Sequence, residues 1–212
     1  MPDAPVMVRH THLETFIVAT LVAMKMPRPP VEITAGLMVR TDLRGVDSHG
    51  IGMLPRYVEW WREGYLVLDA EPRVDRDDGA MALLDASKCL GHYPATLAME
   101  KAIEKAKAWR YRNLAERTGM TQRKIHNAGH CLAAIDPSRF RPLDEFKRDM
   151  DDMFEALKSA PRAEGQERIY VAGEPEAESE HRRRKDEIPL APVLIVQCDE
   201  FARELGVAPL VR

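Results

Sequence analysis

One stretch of this sequence, residues 41–64, reads TDLRGVDSHGIGMLPRYVEWWREG. Its middle places Ser48 and His49 between two glycines, Gly45 and Gly50, directly after a helical pattern. Glycine favours a turn at such a place, and histidine is the side chain that changes charge most readily near neutral pH. An isolated Ser-His-Gly is most often a polar surface turn, so the rest of the sequence decides whether this one is a functional site.

The composition predicts a globular protein of the cytoplasm. The 212 residues are 45% hydrophobic and 31% charged, and the net charge of -3 gives no general attraction to nucleic acid or anionic membranes. The three cysteines are widely spaced without a CxxC pair, which argues against a disulfide framework or a zinc site. The start lacks a signal-peptide pattern, and the longest apolar run, FIVATLVAM, is too short to span a membrane.

Hydrophobic periodicity predicts an α+β fold. Apolar residues recur at helical spacing in several segments, and short β-prone runs lie between them. The predicted helices cover residues 12–25, 31–43, 55–64, 94–108, 144–158 and 192–205. The predicted strands are PRV (72–74), AMALLDA (80–86), CLAAID (131–136) and RIYVAG (168–173). The Met/Phe stripe of the helix at 144–158 is expected in the core, CLAAID is expected to be buried, and the charge run 174–187 is expected to be a solvated loop.

The chain divides into three segments by composition. Residues 1–108 and 129–212 are patterned, whereas residues 109–128 form a basic junction with aromatics at Trp109 and Tyr111. Cations with interleaved rings can bind nucleic acid through phosphates and stacked bases. The basic residues are few and the flanking segments are acidic, so a solvated linker without a nucleic-acid partner is the prediction.

Known motifs of cofactor binding and catalysis are missing from the sequence. It contains no GxGxxG, P-loop, HExxH or GxSxG pattern. Spacing alone therefore predicts a fold class and no function, and no metal ligand set is expected.

The segment TDLRGVDSHGIGMLPRYVEWWREG resembles the N-terminal signature of the malate/L-lactate dehydrogenase family, a non-Rossmann group of oxidoreductases. The resemblance continues through DDGAMALLDASKCLGHYPATLAMEKAIEKAKA and resumes at NAGHCLAAIDPSRFRPLDEF, VAGEPE and IPLAPVLIVQCDEFARELGV. It implies a truncated version of that family's fold. It also implies NAD(P)-dependent hydride transfer to or from a small 2-hydroxy or 2-oxo acid.

The resemblance implies roles for several residues of this signature. Ser48 and His49 match a Ser-His pair of the family's active site, where a histidine can exchange a proton with the substrate oxygen. Tyr57 matches a tyrosine near the substrate. Many members carry an arginine at the position of Met53, suited to binding a carboxylate, and here the neighbouring Arg56 is the expected substitute.

Only a small part of the expected cofactor site has a counterpart. Gly173 and Glu174 match a family turn that approaches the dinucleotide. The family's Asn-Ser-Asn-His-Phe-Gly segment, its second catalytic histidine and the long dinucleotide-binding stretch that follows are missing, which predicts an internal deletion and impaired turnover. The alternative is an inactive remnant that acts at most as a folding or oligomerisation module. A homodimer is expected, since the deletion would leave the apolar faces around AMALLDA and CLAAID uncovered.

Overall fold

The computed structural model describes residues 4–79, 81–108, 113–117 and 129–211. These residues form seven α-helices and six strands, and this α+β architecture is the class that the sequence predicts. Every predicted helix is present and begins within two residues of its predicted start. In chain order the elements are β1 (Val6–Val8), α1 (His10–Ala23), α2 (Pro30–Leu43), α3 (Leu54–Arg62), β2 (Arg73–Asp78), β3 (Met81–Asp85), α4 (His92–Ala108), β4 (Asn113–Arg117), β5 (Gly129–Ala133), α5 (Leu143–Ser159), α6 (Glu174–Asp186), β6 (Ile188–Leu190) and α7 (Pro192–Leu205).

The main hydrophobic core joins the two ends of the chain. Leu13, Ile17 and Leu21 recur every four residues on α1, so they share one face and are completely buried. Helix α7 packs against α1 and α3, and the rings of Phe16 and Phe201 lie 5.9 Å apart. Strand β1 pairs antiparallel with β6, directly before α7. The N-terminal and C-terminal segments therefore fold against each other.

A second, smaller core lies under a four-stranded sheet of order β2-β3-β4-β5. Strands β3 and β4 are parallel and α4 connects them, as parallel pairing requires a crossover. Ala82 and Leu84 of β3 are buried against Ala98 and Ala102 of α4. The apolar side of AMALLDA is thus covered by α4 within the chain, contrary to the expectation that it is uncovered.

Two predictions about the sheet need correction. CLAAID contributes to β5, but Cys131 is exposed, because β5 has a single neighbouring strand among the described residues. Residues 113–117 of the predicted linker form β4, which pairs with strands on both sides. The remaining residues of the basic junction, 109–112 and 118–128, lie outside the described residues.

Two further predictions about local structure are wrong. RIYVAG is not a strand, because the Val171 N–H donates to the Glu174 carboxylate at 2.9 Å instead of to a neighbouring strand. The charge run is the helix α6, with acidic residues in its first turn and Arg183, Arg184 and Lys185 in its last. This arrangement matches the helix dipole, and the ion pair between Glu180 and Arg184 adds one i,i+4 contact.

Helix α5 has the predicted Met/Phe stripe, but the stripe is not in the core. None of its residues is buried, and Met153, Phe154 and Leu157 each expose more than a third of their surface. The pattern is helical as predicted, yet the described chain provides no layer that covers this face. None of the helices in the described part of the chain is long and apolar enough to cross a membrane.

Candidate active site

The loop between α2 and α3 carries the Ser-His pair. Helix α2 ends at Leu43, and Gly45 turns the chain with a φ of +82°, a conformation that favours glycine. The Ser48 hydroxyl lies 2.8 Å from Nδ1 of His49, and the His49 N–H donates to the carbonyl of Val46 at 3.0 Å. Both side chains are exposed. The Ser48 contact uses Nδ1 and leaves Nε2 of the imidazole available to a bound molecule.

The buried side chain of Asp42 holds this loop in place. Its side chain is fully buried, and Oδ2 accepts a hydrogen bond from the Ile51 N–H at 2.8 Å. Oδ1 is also buried and has no hydrogen-bond partner. Burial raises the pKa of the Asp42 carboxyl to about 7, and the nearby Asp47 charge adds to this, while the Ile51 N–H and Arg183 oppose it. The carboxyl is therefore poised to change charge near neutral pH.

The sequence analysis did not single out Asp42, although it carries a signal. Val31, Ala35, Met38 and Asp42 recur at i, i+4, i+7 and i+11, so Asp42 continues the buried face of α2. A carboxyl in an apolar stripe is rarely buried without a structural or functional reason. The sequence therefore allows Asp42 to be predicted as a buried carboxyl, but it does not show that the Ile51 N–H is its partner.

Tyr57 and Arg56 lie on different sides of α3. Tyr57 is half-buried and contacts His92 edge to face, with 6.0 Å between the ring centroids. Burial raises the pKa of the Tyr57 hydroxyl and lowers the pKa of the His92 imidazole. Tyr57 therefore keeps its proton at neutral pH and His92 is uncharged. Arg56 is exposed and bonds to Glu59 at 2.8 Å, a surface pair that costs little to break.

Gly173 and Glu174 lie at the start of α6. Gly173 has a φ of +93°, and an added Cβ would meet nothing within 4 Å, so the turn is open. Glu174 is already bonded to Lys158 and to the Val171 N–H. In the described part of the chain, no hydrogen bond or ion pair joins these residues to Ser48 or His49.

These residues alone do not fit a dinucleotide. The first turn of α6 carries Glu174 and Glu176, whose charges repel a diphosphate at the helix end that would otherwise attract it. The Glu174 oxygens that could accept ribose hydroxyls are taken by Lys158 and Val171. Nor do the described residues bring together three His, Cys, Asp or Glu side chains that could hold a metal ion.

A cavity of about 650 Å³ lies behind the loop. Its polar side chains are the carboxyls of Asp42 and Asp47, and the other lining residues are apolar: Pro5, Ile51, Pro189, Leu190, Ala191, Pro192, Val193 and Leu194. Two carboxyls do not favour an anionic acid. His49 does not line this cavity, so a small acid would meet the imidazole on the solvent side of the loop.

Comparison with known proteins agrees with the architecture. The family model described as malate/L-lactate dehydrogenase matches residues 8–110 and 110–197. The chain is similar to L-sulfolactate dehydrogenase of Methanothermobacter thermautotrophicus, 34% identical over 110 residues. It is also similar to malate dehydrogenase of Pyrococcus horikoshii, 39% identical over 95 residues. The solved structure of malate dehydrogenase from Pyrococcus horikoshii OT3 aligns with a TM-score of 0.86 at 20% identity, covering 99% of this chain and 98% of that one.

The sequence matches cover only a part of these relatives. The match to the sulfolactate dehydrogenase includes 52% of this chain and 30% of that protein, and the match to the malate dehydrogenase includes 45% and 26%. The chain thus matches about a third or less of the length of these curated relatives.

Proposed function

Because the chain belongs to the malate/L-lactate dehydrogenase family, we propose that it is an NAD(P)-type oxidoreductase for small 2-hydroxy and 2-oxo acids whose turnover is impaired by an internal deletion. The observation that carries the proposal is the Ser48–His49 pair, joined at 2.8 Å on a loop fixed from below by Asp42. Two relatives are named for the hydroxy acids on which they act, sulfolactate and malate. A relative from Chromohalobacter salexigens is named as an NADP(+) enzyme, which supports a nicotinamide cofactor.

His49 is the proposed proton donor and acceptor. In its protonated form Nδ1–H donates to the Ser48 hydroxyl, which fixes the ring, and Nε2–H faces the oxygen of a bound 2-oxo acid. When that carbonyl is reduced, the proton on Nε2 moves to the new alcohol oxygen. Arg56 is the proposed carboxylate ligand, after release from Glu59, and the Tyr57 hydroxyl is a further proposed substrate contact.

Impairment is proposed because the described residues offer little for the cofactor. Gly173 and Glu174, which the resemblance predicts as cofactor contacts, do not fit a diphosphate because Glu174 and Glu176 place negative charge at the start of α6. The sequence match to the sulfolactate dehydrogenase covers 30% of that protein, whereas the structural alignment covers 98% of the solved malate dehydrogenase. This difference supports an internal deletion. The three cysteines are widely spaced in the sequence without a CxxC pair, which suits the reducing cytoplasm that we propose as its compartment.

Turnover should be very weak while acid binding persists. Purified protein with NADH or NADPH is assayed against pyruvate, oxaloacetate and related 2-oxo acids by absorbance at the nicotinamide band. We expect rates close to the protein-free control. Saturation-transfer NMR should detect binding of the same acids at millimolar concentration, weakened by His49→Ala and by Arg56→Gln, because both remove a proposed ligand contact.

Each part of the proposal can fail separately. Fast turnover that His49→Ala abolishes would show an intact enzyme and refute the impairment. Absence of any acid binding would refute the substrate class. Lys25→Gln serves as a control, since Lys25 is an exposed cation distant in sequence from the loop.

A second candidate function, an oligomerisation module, is favoured by the uncovered face of α5. Leu143, Phe146, Met150, Met153 and Leu157 follow a spacing of three and four residues, the repeat that packs one helix against another. An antiparallel second copy would place the positive charges of residues 147–148 beside the acidic residues 151–152. We propose a homodimer formed through this face.

Sedimentation equilibrium at micromolar concentration should detect the dimer. Phe154→Lys places a charge in the stripe and should shift the protein to monomer. Glu155→Lys adds a lysine about 150° from the centre of the stripe and should leave the dimer unchanged. A stable wild-type monomer would rule the module out.

A further inference from the structure

Helix α6 supports the loop that carries Ser48 and His49. Ser179 is buried and its hydroxyl would lie 2.9 Å from a Cβ added to Gly45, so the helix touches the turn directly. One residue further, Glu180 is paired with Arg44 at 3.8 Å. The charge run is therefore in contact with the candidate site, although the sequence pattern predicts a solvated loop.

Arg183 makes the strongest of these contacts. Its side chain is only 12% exposed, and Nη1 donates to the main-chain carbonyl of Asp42 at 2.6 Å. The same guanidinium binds both carboxylate oxygens of Asp47, with 3.1 Å between Nη2 and Oδ2 and a second contact from Nη1 to Oδ1. Arg183 thus connects the last turn of α2 to the residue that directly precedes Ser48.

The segment from Asp47 to Ile51 is held at both ends. Arg183 fixes Asp47, and the Asp42 carboxylate accepts from the Ile51 N–H. Between these anchors Ser48 and His49 are exposed and make no contact with α6 among the described hydrogen bonds and ion pairs. Their position therefore depends on the anchors and not on packing of their own side chains.

We propose that Arg183 is a positioning residue for the Ser48–His49 pair, acting through its bidentate bond to Asp47 and its bond to the Asp42 carbonyl. A planar guanidinium can satisfy these acceptors together, whereas a lysine ammonium supplies the charge without the fork geometry. The inference rests on the proposed function for the chemical role of His49, and the loop geometry is measurable without substrate or cofactor.

The test compares Arg183→Met and Arg183→Lys with the matched control Arg182→Met. Arg182 is the adjacent, exposed arginine of the same helix and forms no ion pair with a described residue. Two readouts are recorded on the full chain: the ¹⁵N shifts of the His49 ring, assigned with a His49→Gln spectrum, and amide hydrogen exchange of residues 46–51. Neither readout requires turnover, so an inactive protein is still informative.

For Arg183→Met we expect a changed Nδ1 shift of His49 and exchange of residues 46–51 faster by about tenfold or more, because a charge-assisted anchor is lost. The exchange of the core amides of α1 should stay unchanged. Arg183→Lys should fall between wild type and Arg183→Met, and Arg182→Met should match wild type. Wild-type ring shifts and loop exchange in Arg183→Met would overturn the proposal.

A second variant covers the case in which Arg183→Met does not fold. Asp47→Asn removes the charge of the other partner at an exposed position, so the core is not disturbed. It should move the His49 shift and the loop exchange in the same direction as Arg183→Met. If Asp47→Asn folds and leaves both unchanged, Arg183 does not position the pair.

Discussion

Replacing Gly50 with alanine should lower the free energy of unfolding by about 3 kcal/mol. An ideal Cβ at this position would lie 1.9 Å from Oδ1 of Asp42 and 2.1 Å from its Cγ, closer than any real contact. Asp42 is completely buried and its carboxyl is held by the Ile51 N–H, so it cannot move away from Gly50 without losing that contact. The carboxyl would have to leave the Ile51 N–H, so the variant loses a buried hydrogen bond as well as good packing.

Chemical denaturation provides the measurement, followed by fluorescence of Trp60 and Trp61, which lie on α3 directly after the loop. The matched control is Gly36→Ala on α2, the helix that also carries Asp42. A Cβ there meets nothing within 4 Å, and alanine favours a helix over glycine, so stability should rise by about 0.5–1 kcal/mol. If Gly50→Ala lowers the unfolding free energy and Gly36→Ala raises it, the loss at Gly50 comes from the contact with Asp42 and not from removing a glycine.

A double-mutant cycle tests whether the Asp42 carboxyl is the cause. In an Asp42→Ala background the space above Gly50 is open, so the additional cost of Gly50→Ala should fall below about 1 kcal/mol. A Gly50→Ala loss below about 1 kcal/mol in the wild-type background would contradict the geometry. Strict additivity of the two substitutions would point to another clash.

Regular hydrophobic spacing predicted the helices because apolar residues that repeat at helical spacing lie on one face of a helix. Leu13, Ile17 and Leu21 define α1 in this way, and Gly206, with a φ of +68°, ends α7 where the sequence predicts. Spacing also predicted that α5 is helical. Spacing could not predict that the apolar face of α5 is uncovered, because this depends on whether another element of the fold packs against it.

Helix α6 shows what an apolar pattern misses. Its residues are mostly Glu, Ala, Arg and Lys, all good helix formers, with Pro175 in the first turn, but no stripe marks a buried side. It packs through Ser179 and Arg183, whose partners Gly45 and Asp47 lie more than 130 residues earlier in the chain. Contacts of such long range leave no local signal in a single sequence.

The sequence also predicts only a part of the candidate site. Ser48 and His49 were predicted through the resemblance, and the structure joins them by a hydrogen bond. The catalytic roles of Ser48 and His49 stay predictions, as do the roles of Tyr57, Arg56, Gly173 and Glu174. Asp42 was missed although its spacing continues the buried face of α2, and the sequence does not show that the Ile51 N–H is its partner. Arg183 was missed because the sequence does not show that α6 folds onto the loop. The supporting residues of a site thus depend on tertiary structure more than its exposed residues do.

The stability of the protein should depend on pH through Asp42, and Asp42→Asn should remove this dependence. Burial raises the pKa of this carboxyl from 3.8 to about 7 in the folded chain. The folded state therefore binds a proton that the unfolded state releases between about pH 4 and pH 7. The stabilisation by the bound proton is complete below about pH 4 and is lost as the pH rises to about 7.

The difference between these two pKa values corresponds to about 4 kcal/mol of stabilisation by the bound proton. Asparagine keeps an oxygen that can accept from the Ile51 N–H and has no charge to bury. The difference in unfolding free energy, Asp42→Asn minus wild type, should thus increase by up to about 4 kcal/mol from pH 4 to pH 8. Any fixed cost of the amide beside Gly50 is the same at each pH and does not affect this slope.

Denaturation curves at one-unit pH intervals measure the difference directly. The exposed carboxylate of Asp69, replaced in Asp69→Asn, controls for the removal of one surface charge and should give a nearly flat difference. A flat curve for Asp42→Asn would mean that the buried carboxyl has the same affinity for protons in both states. Its position without a partner for Oδ1 would then require another explanation, since a buried and charged carboxylate with one unsatisfied oxygen is costly in a protein interior.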